Sequence, residues 1–126
     1  MRKNIKPKDA EILSKLVVKG MQEKKGQNIV LIDLREIQNS IADFFVVCSG
    51  KSDTQVEAIA DSIDKEVHSV LKENPAHVEG KNNKEWMLID YINVVAHVFK
   101  QGTREFYNLE GMWGDAKIEE IETISE

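Results

Sequence analysis

The sequence holds a single cysteine, Cys48, so no internal disulfide can form, which suits a reducing compartment. Nothing beside Cys48 looks like a base, and it ends an apolar run. A buried small hydrophobe is therefore expected there rather than a nucleophile. No apolar stretch approaches the roughly 18 residues that span a bilayer. Arg2, Lys3, Lys6 and Lys8 are not followed by the apolar core of a signal peptide, so a cytoplasmic protein is expected. Basic residues are outnumbered, 17 against 22, for a net charge of −5. That argues against a generic nucleic-acid binder, which would show a basic patch that releases counterions from phosphates, and no direct sequence-specific nucleic-acid contact is expected. It leaves room for docking on a basic protein.

Aromatic residues make up only 6% of the 126 residues, yet both tryptophans and both tyrosines fall between Trp86 and Ala116. Large amphipathic rings gathered in one segment build either a core seam or a contact surface. The length predicts one domain, which buries about two thirds of its unfolded surface.

A first helix is predicted from Pro7 or Lys8. Pro7 suits the first turn, Asp9 and Glu11 complement the helix dipole, and Ile12, Leu13, Leu16, Val17 and Met21 form one stripe. Gly20 weakens this helix and Gly26 is its expected stop. The continuous apolar run Ile29–Leu34 reads as a strand covered on both faces. Phe44–Cys48 reads as a second central strand. Ser52 and Gln55 then form the S-x-x-Q pattern of a capping box, predicting a helix from Asp53. Val56, Ile59, Ala60, Ile63, Val67, Val70 and Leu71 give it the clearest helical spacing in the chain. Asn74-Pro75 ends it after about 30 Å. His77–Glu79, Glu85–Asp90 and Asn93–Phe99 follow as strands, the last two forming a tight hairpin.

The expected fold is a single α/β domain, a mixed β-sheet with flanking helices. The connection from the second strand through the long helix to the Val78 strand is long enough for a crossover. The domain is expected to span 1–116. Residues 117–126 read as an acidic tail, mobile or only weakly docked.

Candidate chemistry is thin. Gly50-Lys51-Ser52 sits between a strand and a helix, as in a phosphate loop, but the full pattern requires glycine where Phe45 stands. A capped strand-to-helix turn is the simpler account. A nucleotidyltransferase acting on a nucleotide substrate is the alternative class. It would use Ser49-Gly50 and Asp90, but no paired carboxylates follow Gly50 on a strand to hold divalent metal ions. His68, His77 and His97 have no zinc-ligand spacing, so no metal or other cofactor is expected. His97 stands mid-strand. It reads either as a half-buried imidazole with one bonded nitrogen or as an interface residue on an exposed sheet face.

Alternation places Trp86, Leu88 and Asp90 on one face of their strand and Met87 and Ile89 on the other. If Met87 and Ile89 pack under the helices, Trp86 projects outward, where Tyr107 and Trp113 can join it. This cluster is either a satellite core or a recognition patch, in which a single buried Trp is often worth ~2 kcal/mol or more. Arg104 and Glu105 beside it are expected to orient the segment.

The motif string Ala42-Asp43-Phe44-Phe45-Val46-Val47-Cys48-Ser49-Gly50, with Ser52 and Gln55, resembles the opening signature of the ribosomal silencing factor (RsfS, Iojap-like) family. Glu79-Gly80, Trp86, Leu88, Asp90-Tyr91, Val94-Val95, His97 and Phe99 resemble its central hairpin. Arg104, Phe106-Tyr107, Leu109-Glu110, Trp113 and Asp115-Ala116 resemble its closing signature. The resemblance implies a nucleotidyltransferase-like fold without catalytic carboxylates, and no enzymatic activity. It also implies docking on the large ribosomal subunit through its universal ribosomal protein fourteen. That docking would block joining of the small subunit and repress translation when nutrients are scarce. On this resemblance the partner-binding residues are expected to be Trp86, Leu88, Asp90, Tyr91, His97 and Phe99, supported by Tyr107 and Trp113. The same patch would serve a homodimer of the free protein. The family usually has Asp-Tyr-Gly-Asp at the hairpin turn, where this chain has Asp90-Tyr91-Ile92-Asn93. Isoleucine tolerates positive φ poorly, so the left-handed position is expected at Asn93.

Overall fold

The computed structural model describes residues 7–104 and 116–122. Among the described residues two long helices, α1 (Pro7–Glu23) and α2 (Asp53–Leu71), accompany six strands. The strands are β1 (Gln27–Asp33), β2 (Phe44–Gly50), β3 (His77–Glu79), β4 (Trp86–Asp90), β5 (Val94–Lys100) and β6 (Lys117–Ile121). They form one mixed sheet in the order β3-β4-β5-β2-β1-β6, in which β2 and β5 are the parallel pair and every other neighbour is antiparallel.

Both helices lie on one face. Leu13, Val17 and Met21 of α1 and Val56, Ile59, Ile63 and Val67 of α2 close over Ile29, Phe44, Val46, Cys48, Met87, Ile89, Val94, Ala96 and Val98. Gly20 lies where the helices cross: a Cβ there would stand 2.7 Å from the Ile63 Cα. The residue that weakens α1 locally thus permits close packing. The α2 start follows the expected cap. Ser52 Oγ accepts the Gln55 N–H at 3.1 Å, and Gln55 Oε1 accepts the Lys51 N–H at 2.6 Å. The Gln55 amide also donates to the Lys24 and Lys25 carbonyls, tying this turn to the end of α1.

The opposite face has its own core of Val30, Ile32, Leu34, Ala42, Phe45, Val47, Val95 and Phe99, with Ile37, Trp86, Leu88 and Ala116 packed against it. Every residue of β2 is therefore buried. Cys48 is fully buried, and desolvation pushes its thiol pKa up to about 12, so it is an inert core residue.

Three details differ from expectation. The crossover through α2 reaches β3, but β3 lies at the sheet edge with β4 and β5 between it and β2. Residues 117–121 are not a loose tail. They form β6, antiparallel to β1 from Ile29↔Ile121 to Asp33↔Lys117. Without β6, the outer backbone groups of β1 would have no ladder partner, and Ile121 adds contact with the helix-side core.

The third difference is the hairpin turn, where Ile92, not Asn93, takes positive φ, +77°. The Asn93 N–H donates to the Tyr91 carbonyl at 3.0 Å across Ile92, the hydrogen bond of a three-residue γ-turn. The Ile92 N–H is held by Asp90 Oδ1 at 2.7 Å, and the Tyr91 N–H by the Val94 carbonyl at 2.9 Å. Asn93 is occupied elsewhere. Its carbonyl accepts from the Asp43 and Phe44 N–H groups, and its amide donates to the Asp43 carboxylate. The strain therefore falls on Ile92.

Candidate partner-binding face

The β4 alternation runs as expected. Met87 and Ile89 are buried under the helices, and Trp86, Leu88 and Asp90 lie half-buried on the other face. Register sets what lies beside each. Trp86 is opposite Phe99, Leu88 is opposite both His97 and Glu79, and Asp90 is opposite both Val95 and His77. Cross-strand partners point to the same side, so Glu79 and His77 join the Trp86 face.

The rings interlock. The Trp86 indole stacks on Phe99 with centroids 4.9 Å apart at 25°, and the His97 ring meets the Phe45 ring edge-on at 4.7 Å. The Trp86 Nε1–H donates to His97 Nδ1 at 3.1 Å. That bond places the imidazole proton on Nε2, which is buried and has no hydrogen-bond partner among the described residues. His97 is 3% exposed, and desolvation lowers its pKa from 6.5 to about 4, so the ring is neutral at pH 7.

Sequence-based expectation had all these residues touching a partner, and the structure divides them. Trp86, Leu88 and Asp90 are accessible. Phe99 is fully buried and His97 nearly so, because the core on this face covers β5. They underlie the patch rather than present it. Tyr91 is on the other side: it shares the phase of Met87 and Ile89 and is buried in the helix-side core. Its hydroxyl has no hydrogen-bond partner among the described residues. Burial raises its pKa, with the Asp64 and Glu73 carboxylates adding to the effect. Tyr107 and Trp113 lie outside the described residues.

Sequence reasoning missed the acidic rim. A cleft of about 260 Å³ beside Trp86 and Leu88 is lined by Glu79, Gly80, Asn83, Glu85 and Thr103. The β3–β4 turn brings Glu79 and Glu85 there. It depends on Gly80, at φ +89°, where a Cβ would stand 2.1 Å from the Trp86 carbonyl oxygen. The signal was the Glu79-Gly80 pair closing a short strand, which places a carboxylate across from Leu88.

Arg104 anchors the chain beyond β5. Its Nη1 donates to the carbonyl of Asn28 at 2.5 Å and to Ser49 Oγ at 3.1 Å. Asn28, at φ +52°, sits where the β1–β2 register shifts, so the guanidinium pins a bulged carbonyl. Among the described residues, no group of three or more His, Cys, Asp or Glu side chains could hold a metal ion. Nor, among them, is any helix long and apolar enough to cross a membrane.

Comparison with known proteins agrees with the motif string. Residues 7–126 match the family model described as ribosomal silencing factor during starvation. The chain is 39% identical over 115 residues to the ribosomal silencing factor RsfS of Halalkalibacterium halodurans, covering 89% of this chain and 94% of that protein. It is 27% identical over 100 residues to the mouse protein named mitochondrial assembly of ribosomal large subunit protein 1, covering 78% of this chain and 43% of the mouse protein. A crystal structure from Chromobacterium violaceum superposes with a TM-score of 0.77 at 30% identity, covering 83% of this chain and 86% of that one. The chain belongs to the ribosomal silencing factor family.

Proposed function

We propose that this protein is a ribosome-associated translation regulator that acts by obstruction. It docks on the large ribosomal subunit through the universal ribosomal protein fourteen and holds off the small subunit, repressing translation under nutrient limitation. Family membership supports the ribosomal role, and the name of the mouse relative supports the large subunit.

The observation that carries the reading is the half-buried Trp86–Leu88 row flanked by the carboxylates of Glu79, Glu85 and Asp90. An aromatic–aliphatic anchor with an acidic rim fits a basic protein surface. The anchor supplies desolvated contact, and the rim and the net charge of −5 steer encounter. Tyr107 and Trp113 support the contact from the closing segment. His97 and Phe99 carry the anchor from beneath. Once the domain is seated, its bulk excludes the opposing subunit, and no bond is made or broken.

Sucrose-gradient sedimentation of purified subunits tests this. Added protein should keep the purified subunits from joining and co-sediment with the large one. Unchanged joining at saturating protein overturns the proposal.

A further inference from the structure

We propose that His97 is a positioning residue for Trp86: its Nδ1 fixes the indole in the orientation that presents the ring, together with Leu88, to the partner. This rests on Trp86 being a contact residue, as proposed above.

The geometry restrains the indole at two points. Phe99 takes one ring face at 4.9 Å, and His97 Nδ1 takes the Nε1–H at 3.1 Å. The imidazole is itself restrained, with Phe45 edge-on at 4.7 Å and Phe99 near-parallel at 6.4 Å. Stacking alone permits an aromatic ring to slide and turn in its plane. A directional acceptor does not.

The Nε2–H, without a partner among the described residues, gives a second reason. A buried donor without an acceptor costs stability. An apolar side chain of similar size would fill the space beside Phe45 and Val47 without that cost. What it would lack is a planar nitrogen acceptor aimed at the indole. The imidazole is neutral, as an acceptor must be, and the tautomer that accepts at Nδ1 is the one that leaves Nε2–H orphaned.

The test separates acceptor from bulk. Asparagine carries its oxygen at the δ position, where histidine carries Nδ1, so His97→Asn should retain the indole bond. His97→Leu retains bulk but not the acceptor. The chain has two tryptophans, hence two indole N–H resonances, and Trp86→Phe assigns them. In wild type and His97→Asn the Trp86 indole proton should exchange slowly with solvent, and in folded His97→Leu quickly. Binding to purified large subunits should weaken roughly fivefold in His97→Leu, the scale of one lost hydrogen bond, and recover in His97→Asn. In a Trp86→Phe background, His97→Leu should have no further effect on binding.

Equal affinity of His97→Leu and wild type overturns the proposal, as does a His97→Asn protein no better than His97→Leu. Trp86→Ala tells the two readings apart. If it weakens binding while His97→Leu does not, the contact reading stands and positioning alone fails. If Trp86→Ala binds like wild type, the contact reading fails and takes positioning with it.

Discussion

Burial of His97 makes the fold sensitive to acid in a way one substitution should remove. The imidazole is 3% exposed, and desolvation is the cause of its lowered pKa. The unfolded chain takes this proton near pH 6.5 and the folded chain only near pH 4. Between those values the unfolded state binds more protons, so stability falls as pH falls. At pH 4.5 the unfolded imidazole is almost wholly protonated and the folded one mostly neutral. Relative to pH 7, linkage then removes on the order of 2 kcal/mol. His97→Leu deletes the titrating group and leaves the carboxylates common to both proteins. At pH 7 the substitution itself should be neutral to mildly stabilising. A hydrogen bond worth about 1 kcal/mol is lost, while an orphan donor costing about 1–3 kcal/mol disappears. Urea unfolding of both proteins at pH 7 and pH 4.5 gives the result by difference. Wild type should lose on the order of 2 kcal/mol more than His97→Leu on acidification. Equal losses would show that His97 either pairs its buried nitrogen or takes its proton at an ordinary pH, and the description of this face would then be wrong.

Other perturbations follow from the same structure. Tyr91→Phe removes a buried hydroxyl without a partner among the described residues and should raise unfolding free energy by about 1 kcal/mol in urea melts; a loss would reveal a hydrogen bond at that oxygen. Ile92→Gly relieves a β-branched residue at φ +77° and should stabilise by about 1 kcal/mol, visible as a rise of a few degrees in Tm. Glu79→Lys with Glu85→Lys reverses the rim and should slow association with large subunits, most at low salt; a salt-independent rate would remove steering from the account. Deleting residues 117–126 strips β6 from β1 and should cost on the order of 2 kcal/mol, whereas a loose tail would cost nothing in the same melt.

Local periodicity and local chemistry were legible in the sequence. The stripe Val56, Ile59, Ala60, Ile63, Val67 is the buried side of α2, and Ser52 caps it as the S-x-x-Q pattern predicts. The alternation in β4 sends Met87 and Ile89 one way and Trp86 and Leu88 the other. Strand parity also settles Tyr91, which has the phase of Met87 and Ile89. Its place among the contact residues came from the motif string, against the alternation. Pairing of β2 with β5 was not legible, since no periodicity records which distant strand is adjacent. β6 was hidden because Lys117–Ile121 has neither alternation nor apolar density, and it forms for the sake of the β1 edge. The turn misled because Asn93 is the better left-handed residue by propensity. Its bonds to Asp43 and Phe44 outweigh that preference and leave the positive φ to Ile92.

How the proposed contact row is mounted bears on how such a protein would work. β2 is buried on both faces and β5 almost entirely so, which makes the sheet centre a stiff plate between two cores. Trp86 and Leu88 stand on β4, one strand from that centre, and among the described residues the three-residue β3 is the strand outside them. The row is thus accessible from the edge side while its inner side leans on Phe99 and His97. A contact surface ordered before the partner arrives loses little conformational entropy on binding, so more of the contact energy remains as affinity. An obstructing factor depends on affinity and placement alone. The expectation is a rigid patch with nearly equal indole exchange and backbone order in free and bound protein. If the β4 amides gained strong hydrogen-exchange protection on binding the large subunit, the row would be folding on contact and the plate would not be its support.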